Sequence, residues 1–109
     1  MLFKALHCYY AWQNNMPSFK GDIVEGGGFN LVRFEEKFVC ANTAEGAIEK
    51  MIIFIIENPN QFAFQGMYSG TWTTERKQVY FQKALHIEKP ITPQADYHWV
   101  EVEPVEVIE

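Results

Sequence analysis

The chain has 109 residues, 48% of them apolar and 16% aromatic, and a formal net charge of −5. That length fits one domain whose core is large enough to stand without metal or disulfide. The acidic balance excludes a protein that coats nucleic acid or anionic lipid without specificity, because both tasks need a basic face.

Residues 2–12 read as the first strand. Leu6, Cys8, Tyr10 and Trp12 share one face, and Phe3, Ala5, Tyr9 and Ala11 share the other. Both faces are largely apolar, which places this strand inside a sheet. Residues 13–28 form a long polar connection with breakers at Asn14-Asn15, Met16-Pro17, Gly21-Asp22 and Gly26-Gly27-Gly28. Connections of this length tend to be functional. Asp22-Ile23-Val24-Glu25 adds a short edge strand within it. The glycine run is no phosphate loop, since no Lys-Ser/Thr pair comes after it and the next element is a strand.

Residues 29–40 form the second long strand. Strict alternation puts Val32, Phe34, Phe38 and Cys40 on one face and Arg33, Glu35 and Lys37 on the other. The period then changes. Asn42 is the expected N-cap, with Glu45 three residues on to complete a capping box and to place negative charge at the positive end of the helix dipole. Ala47, Ile48, Met51, Ile52, Ile55 and Ile56 recur along one helical face. Ile53 and Phe54 widen the stripe, and Pro59 stops the helix.

Beyond the helix, residues 61–72 alternate around Phe62 and Phe64 with a break at Ser69-Gly70, which predicts a kinked strand. Residues 73–77 read as a polar turn. Residues 78–88 carry Val79, Phe81, Leu85 and Ile87 in alternation, which predicts another strand. A helix over residues 74–86 is the rival, because Tyr80, Ala84 and Ile87 also fit helical spacing. Residues 89–93 contain Pro90 and Pro93 and make a stiff linker. Residues 97–102 alternate again, and Pro104 limits the tail to edge or non-strand geometry. The predicted architecture is α+β: one domain over residues 1–109, a small antiparallel or mixed sheet of four to five strands with one helix packed on one face.

Chemistry-bearing motifs are sparse. His7 and Cys8 are adjacent and point to opposite faces of a strand, while His86 and His98 stand alone, so no metal-ligand pair forms and no metal or cofactor is expected. Cys8 and Cys40 both lie in apolar runs and are expected reduced and buried, with a disulfide between neighbouring strands as the alternative that spacing alone does not decide. Cys40 precedes the helix N-terminus, where a thiol can be activated, but its parity with Phe34 and Phe38 turns it toward the core. No acid-base pair emerges either, and the expectation is a non-enzyme. Met1-Leu2-Phe3-Lys4 is no signal peptide and residues 51–56 are too short an apolar run to span a bilayer, so a soluble cytoplasmic protein is expected.

The stretch from Phe38 to Met51, with its Ala41-x-Thr43-x-Glu45-x-Ala47 core, resembles a motif of small phage and mobile-element proteins, phage inhibitors of host RNA polymerase among them. There a strand ends in Ala, a polar cap comes next and an Ala-containing helix packs back on the sheet. Gly46 departs from the acidic or alanine residue expected at its position. The resemblance implies fold and carries over no functional residue.

Two functions are expected. The first is a small acidic binding protein, a phage-type inhibitor that blocks a host or defence complex through a partner with a basic surface. Its binding residues would be Phe19, Asp22 and Glu25 in the long connection and Glu101, Glu103 and Glu106 in the acidic C-terminal edge over residues 99–109. That edge is either a last strand guarded by glutamates or a strand offered to a partner. The second is a small-ligand or nucleotide-binding protein that sequesters a molecule as a homo-oligomer. There Tyr9, Trp12 and Trp72 would stack on a base, and Arg76 and Lys77 would meet phosphate.

Overall fold

The computed structural model describes residues 1–13, 16–17, 23–24, 28–61, 72–94 and 96–106. Two long strands, β1 (Leu2–Gln13) and β4 (Gly28–Cys40), form an antiparallel hairpin. Inside their connection, β2 (Met16–Pro17) pairs antiparallel with β3 (Ile23–Val24), so a short strand is present at the centre of the one expected over residues 22–25. A helix, α1 (Ala44–Glu57), comes next, then a 3-10 turn over Pro59–Gln61. A second helix, α2 (Thr74–Ala84), leads directly into β5 (Leu85–His86), and β6 (His98–Pro104) closes the described chain. The main sheet has the order β4-β1-β6-β5 and is mixed: β6 runs antiparallel to β1 and parallel to β5. The strand expected within residues 61–72 lies outside the described residues, apart from Gln61 in the 3-10 turn and Trp72.

Among the described residues the fold is therefore α+β with two α-helices rather than one. Of residues 78–88, those up to Ala84 belong to α2 and only Leu85–His86 form a strand. Thr73 caps α2 by accepting a hydrogen bond from the Arg76 N–H at 3.2 Å, and Glu75 sits in its first turn. Capping chemistry and the helical spacing of Phe81 and Ala84, both buried, outweigh the two-residue alternation. The expected polar turn at residues 73–77 is the start of this helix.

Both helices pack on the same face of the sheet. Phe3, Ala5 and Tyr9 of β1, Val39 of β4 and Val100 of β6 meet Ala47, Met51 and Ile55 of α1 and Phe81 of α2. The predicted α1 stripe is thus the core stripe, with Ile48, Ile52 and Ile56 packed at its margin. The cap is one residue later than expected. Thr43, not Asn42, accepts from the Gly46 N–H at 3.0 Å. Gly46 therefore occupies the position a capping-box glutamate would need. A Cβ there would lie 3.2 Å from the Thr43 hydroxyl and 3.6 Å from the Ala41 Cβ, a tight fit against the capping hydroxyl.

The largest departure lies in β4. Ala5 faces Lys37 but His7 faces Phe34, so Glu35 and Glu36 together oppose Leu6. This bulge inserts one residue and reverses the alternation beyond it. Val32 and Phe34 point toward the helices as expected, but beyond the bulge Val39 is buried while Phe38 and Cys40 are exposed. Lys37 turns inward, its Nζ 3.9 Å from the centre of the Phe54 ring. Phe38 and Cys40 thus do not share the core face of Phe34. Cys8 is buried and Cys40 exposed, and both are free thiols. Among the described residues no helix is long and apolar enough to cross a membrane.

Candidate functional site

Two features stand out from simple packing: an ionic outer sheet face and a buried histidine chain. The outer face is the one turned away from the helices. Lys4 of β1 sits between Glu36 of β4 at 3.3 Å and Glu103 of β6 at 3.7 Å. Further along, Arg33 Nε donates to Glu101 Oε1 at 2.9 Å, and Trp99 Nε1 donates to Glu101 Oε2 at 2.8 Å. Burial works to raise the Glu101 carboxyl, but the Arg33 and Trp99 hydrogen bonds and the Arg33 charge outweigh it and hold the group below the usual carboxylate range. At the Cys8–Trp99 end the face is closed: Cys8 is fully buried, and Tyr10 lies 5.4 Å from Trp99 between ring centres. Burial, helped by the Glu101 charge, pushes the Cys8 thiol up to about 12, so it is inert as a nucleophile. At the other end the face is open, and Phe38 stands there 58% exposed.

The histidine chain lies on the helix side. His7 and His98 are buried on adjacent strands, and His7 Nε2 lies 2.8 Å from His98 Nδ1. His98 Nε2 lies 3.0 Å from the Tyr80 hydroxyl, which itself donates to Asp96 Oδ1 at 3.0 Å. These contacts set the proton order. The carboxylate only accepts, so the Tyr80 proton points to Asp96. The His98 Nε2–H then donates to the Tyr80 oxygen, which leaves His98 Nδ1 to accept from the His7 Nε2–H. Both rings are neutral in this arrangement. Burial holds each imidazole down at about 3, with the opposing ring adding to the effect at His7 and His86 adding to it at His98. Asp96, at φ 60, adopts the left-handed backbone that brings its carboxylate to Tyr80.

The expected site residues scatter between these features. Phe19, Asp22 and Glu25 lie outside the described residues, as does the Trp12 side chain. Glu101 and Glu103 belong to the outer-face ion pairs, and Glu106 is exposed beyond the end of β6. Tyr9 is 9% exposed and packs beside His98 and Phe34, so it offers no open stacking surface. Arg76 already stacks on Trp72, 4.2 Å from the ring centre, and Lys77 donates to Asn60 Oδ1 at 3.3 Å. Trp72, Arg76 and Lys77 are therefore engaged in joining α2 to its neighbours. Among the described residues no group of three or more His, Cys, Asp or Glu side chains is placed to hold a metal ion.

No family model, curated protein or solved structure matches this chain. The geometry of the site is therefore the ground for its function.

Sequence reasoning missed Phe38, Lys4 and Glu36 as one surface because the bulge that unites them is invisible without the pairing partner. It missed the histidine chain because its members lie 91 positions apart. The shared parity of His7 with Ala5 and Tyr9, both assigned to one face, was the available signal for His7.

Proposed function

We propose that this chain is a non-enzymatic binding protein that engages a partner with a basic surface through the open outer face of its sheet, as a phage-type inhibitor of a host or defence complex does. The observation that carries this reading is Phe38: a large aromatic, 58% exposed, set on the ionic face rather than in the core. Interface anchors are typically aromatic side chains surrounded by polar groups. On this face Glu36, Glu101 and Glu103 outnumber Lys4 and Arg33, which favours a basic partner and a salt-sensitive encounter. Glu103 and Glu106 extend the acidic rim. Glu101 is held by Arg33 and Trp99, so its first role is to fasten β6 to β4 across β1.

The test is capture from host lysate by the tagged wild type, by Phe38→Asp, and by Glu103→Lys combined with Glu106→Lys. A specific protein should be retained by the wild type at low salt and weakened by either variant, and mass spectrometry identifies it. Retention equal in all three would remove the outer face from function. A nucleotide released from the purified wild type would favour the sequestering alternative.

A further inference from the structure

Both imidazoles of the histidine chain lie on the helix side of the sheet, and α2 lays two rings against them. Phe81 stands edge-on to both, its centre 5.8 Å from that of His7 and 6.0 Å from that of His98. Tyr80 stands edge-on to His98 at 5.7 Å and carries the hydroxyl bonded to it. We propose that α2 is an acid-released lid: it swings off the sheet while α1 stays packed, and the opening hydrates the His7–His98 pair. The inference rests on this packing and does not depend on the partner-binding reading.

The helix α2 is the element that yields because it is thinly anchored. Its buried residues are Phe81 and Ala84, whereas α1 sets Ala47, Met51 and Ile55 into the core against Phe3, Ala5 and Val39. Near its N-terminus, exposed hydrogen bonds tie it to the 3-10 turn. Asn60 Nδ2 donates to Thr74 Oγ1 at 3.1 Å, and Lys77 Nζ donates to Asn60 Oδ1 at 3.3 Å. Water replaces such bonds at little cost. Its C-terminus runs into the two-residue strand β5, which makes Leu85 the hinge. Elements with few buried apolar contacts open at the lowest free energy.

Acid favours the open form because of what α2 covers. In water an imidazole takes up a proton near pH 6.5. In the closed form His98 Nδ1 is the acceptor of the His7 bond, and a charge on either ring would stand among Tyr9, Phe34 and Phe81. Among the described residues, the titratable groups that face the pair are Tyr9 of β1, Tyr80 of α2, Asp96 of the turn and His86 of β5. The Asp96 carboxylate is directed at the Tyr80 hydroxyl. β4 presents the Phe34 ring, and its inward Lys37 lies over Phe54 of α1. The closed form therefore refuses protons that the open form accepts, and opening grows as pH falls below 6.5. Phe81 and Ala84 then reach water, so acid converts one side of the core into an apolar surface.

Native-state amide exchange of the wild-type chain, followed by nuclear magnetic resonance at pH 7.5 and 5.5 over a range of low urea concentrations, tests the lid. Protection factors corrected for the pH dependence of the chemical step report the opening equilibrium. Amides of residues 78–84 in α2 should be less protected than those of residues 52–55 in α1, and less sensitive to urea, because α2 opens by itself. From pH 7.5 to 5.5 the protection of α2 should fall about tenfold for each ring hydrated, hence at least tenfold. His98→Gln should reduce that fall. Tyr80→Phe, which keeps both imidazoles, should speed α2 exchange at both pH values. If α2 amides are as protected and as urea-sensitive as those of α1, the helix leaves only with the whole core. If α2 exchanges faster but without pH dependence, the pair stays covered. Either result overturns the proposal, and the wild-type chain delivers it even where a variant fails to fold.

Discussion

His7 and His98, 91 residues apart, share a 2.8 Å hydrogen bond in the core, and with Tyr80 and Asp96 they join β1, β6, α2 and the turn before β6 through one ordered set of protons. The bond requires His98 Nδ1 to stay unprotonated, and burial resists a charge on either ring, which gives the pair a measurable signature.

Acid should destabilise the fold well above the range in which carboxylates titrate. Each imidazole has a folded value of about 3 against an unfolded value of 6.5. Above pH 6.5 both states carry neutral rings and the full stability is present. Below it the unfolded chain takes up protons that the core refuses, so stability falls as pH drops from 6.5 toward 3. The loss is about 2 kcal/mol per ring at pH 5. Urea melts at pH 8, 6 and 5 check this. A midpoint that stays constant over that range would show that the two rings take up protons equally in the folded and unfolded states.

Tyr80→Phe should cost about 1–3 kcal/mol. The substitution keeps the ring contacts with Trp72 and Phe81 but removes the oxygen that accepts from His98. Chemical denaturation gives the cost. Nuclear magnetic resonance of the His98 ring nitrogens should show the loss of the Nε2–H donor contact, a change that a simple packing defect would not produce.

The start of α1 can be assigned by two single substitutions. Thr43→Ala should destabilise by about 1 kcal/mol, because it leaves the Gly46 N–H without the cap. Asn42→Ala, at an exposed position outside the helix, should stay within about 0.5 kcal/mol. Equal costs in thermal melts would contradict a cap at Thr43.

The two faces of α1 should differ sharply. Met51→Ala removes a fully buried side chain from the core between helices and sheet and should cost about 2–5 kcal/mol. Ile53→Ala, at a position 53% exposed, should change stability by about 0.5 kcal/mol or less. Denaturant midpoints of the two variants separate the faces.

The features that the sequence determined by itself are those that depend on near neighbours. The stripe from Ala47 to Ile56 and the stop at Pro59 are written within single turns of helix, and they place α1 with its buried face correct. The apolar character of both faces of β1 marked it as interior, and it lies between β4 and β6. The tertiary structure decided the rest. Alternation in residues 29–40 contains no mark of a bulge, because a bulge exists only relative to Leu6 on the partner strand, and it turned Phe38 and Cys40 outward and Val39 inward. Spacing around Tyr80 fits both periods, and the packing of Phe81 and Ala84 against the core selects the helix. The His7–His98 bond depends on the register of β1 against β6, which sets Tyr9 opposite His98. Local periodicity encodes which face of an element is apolar. Which elements meet, and at what offset, is set by long-range burial and hydrogen bonding that no short window of sequence contains.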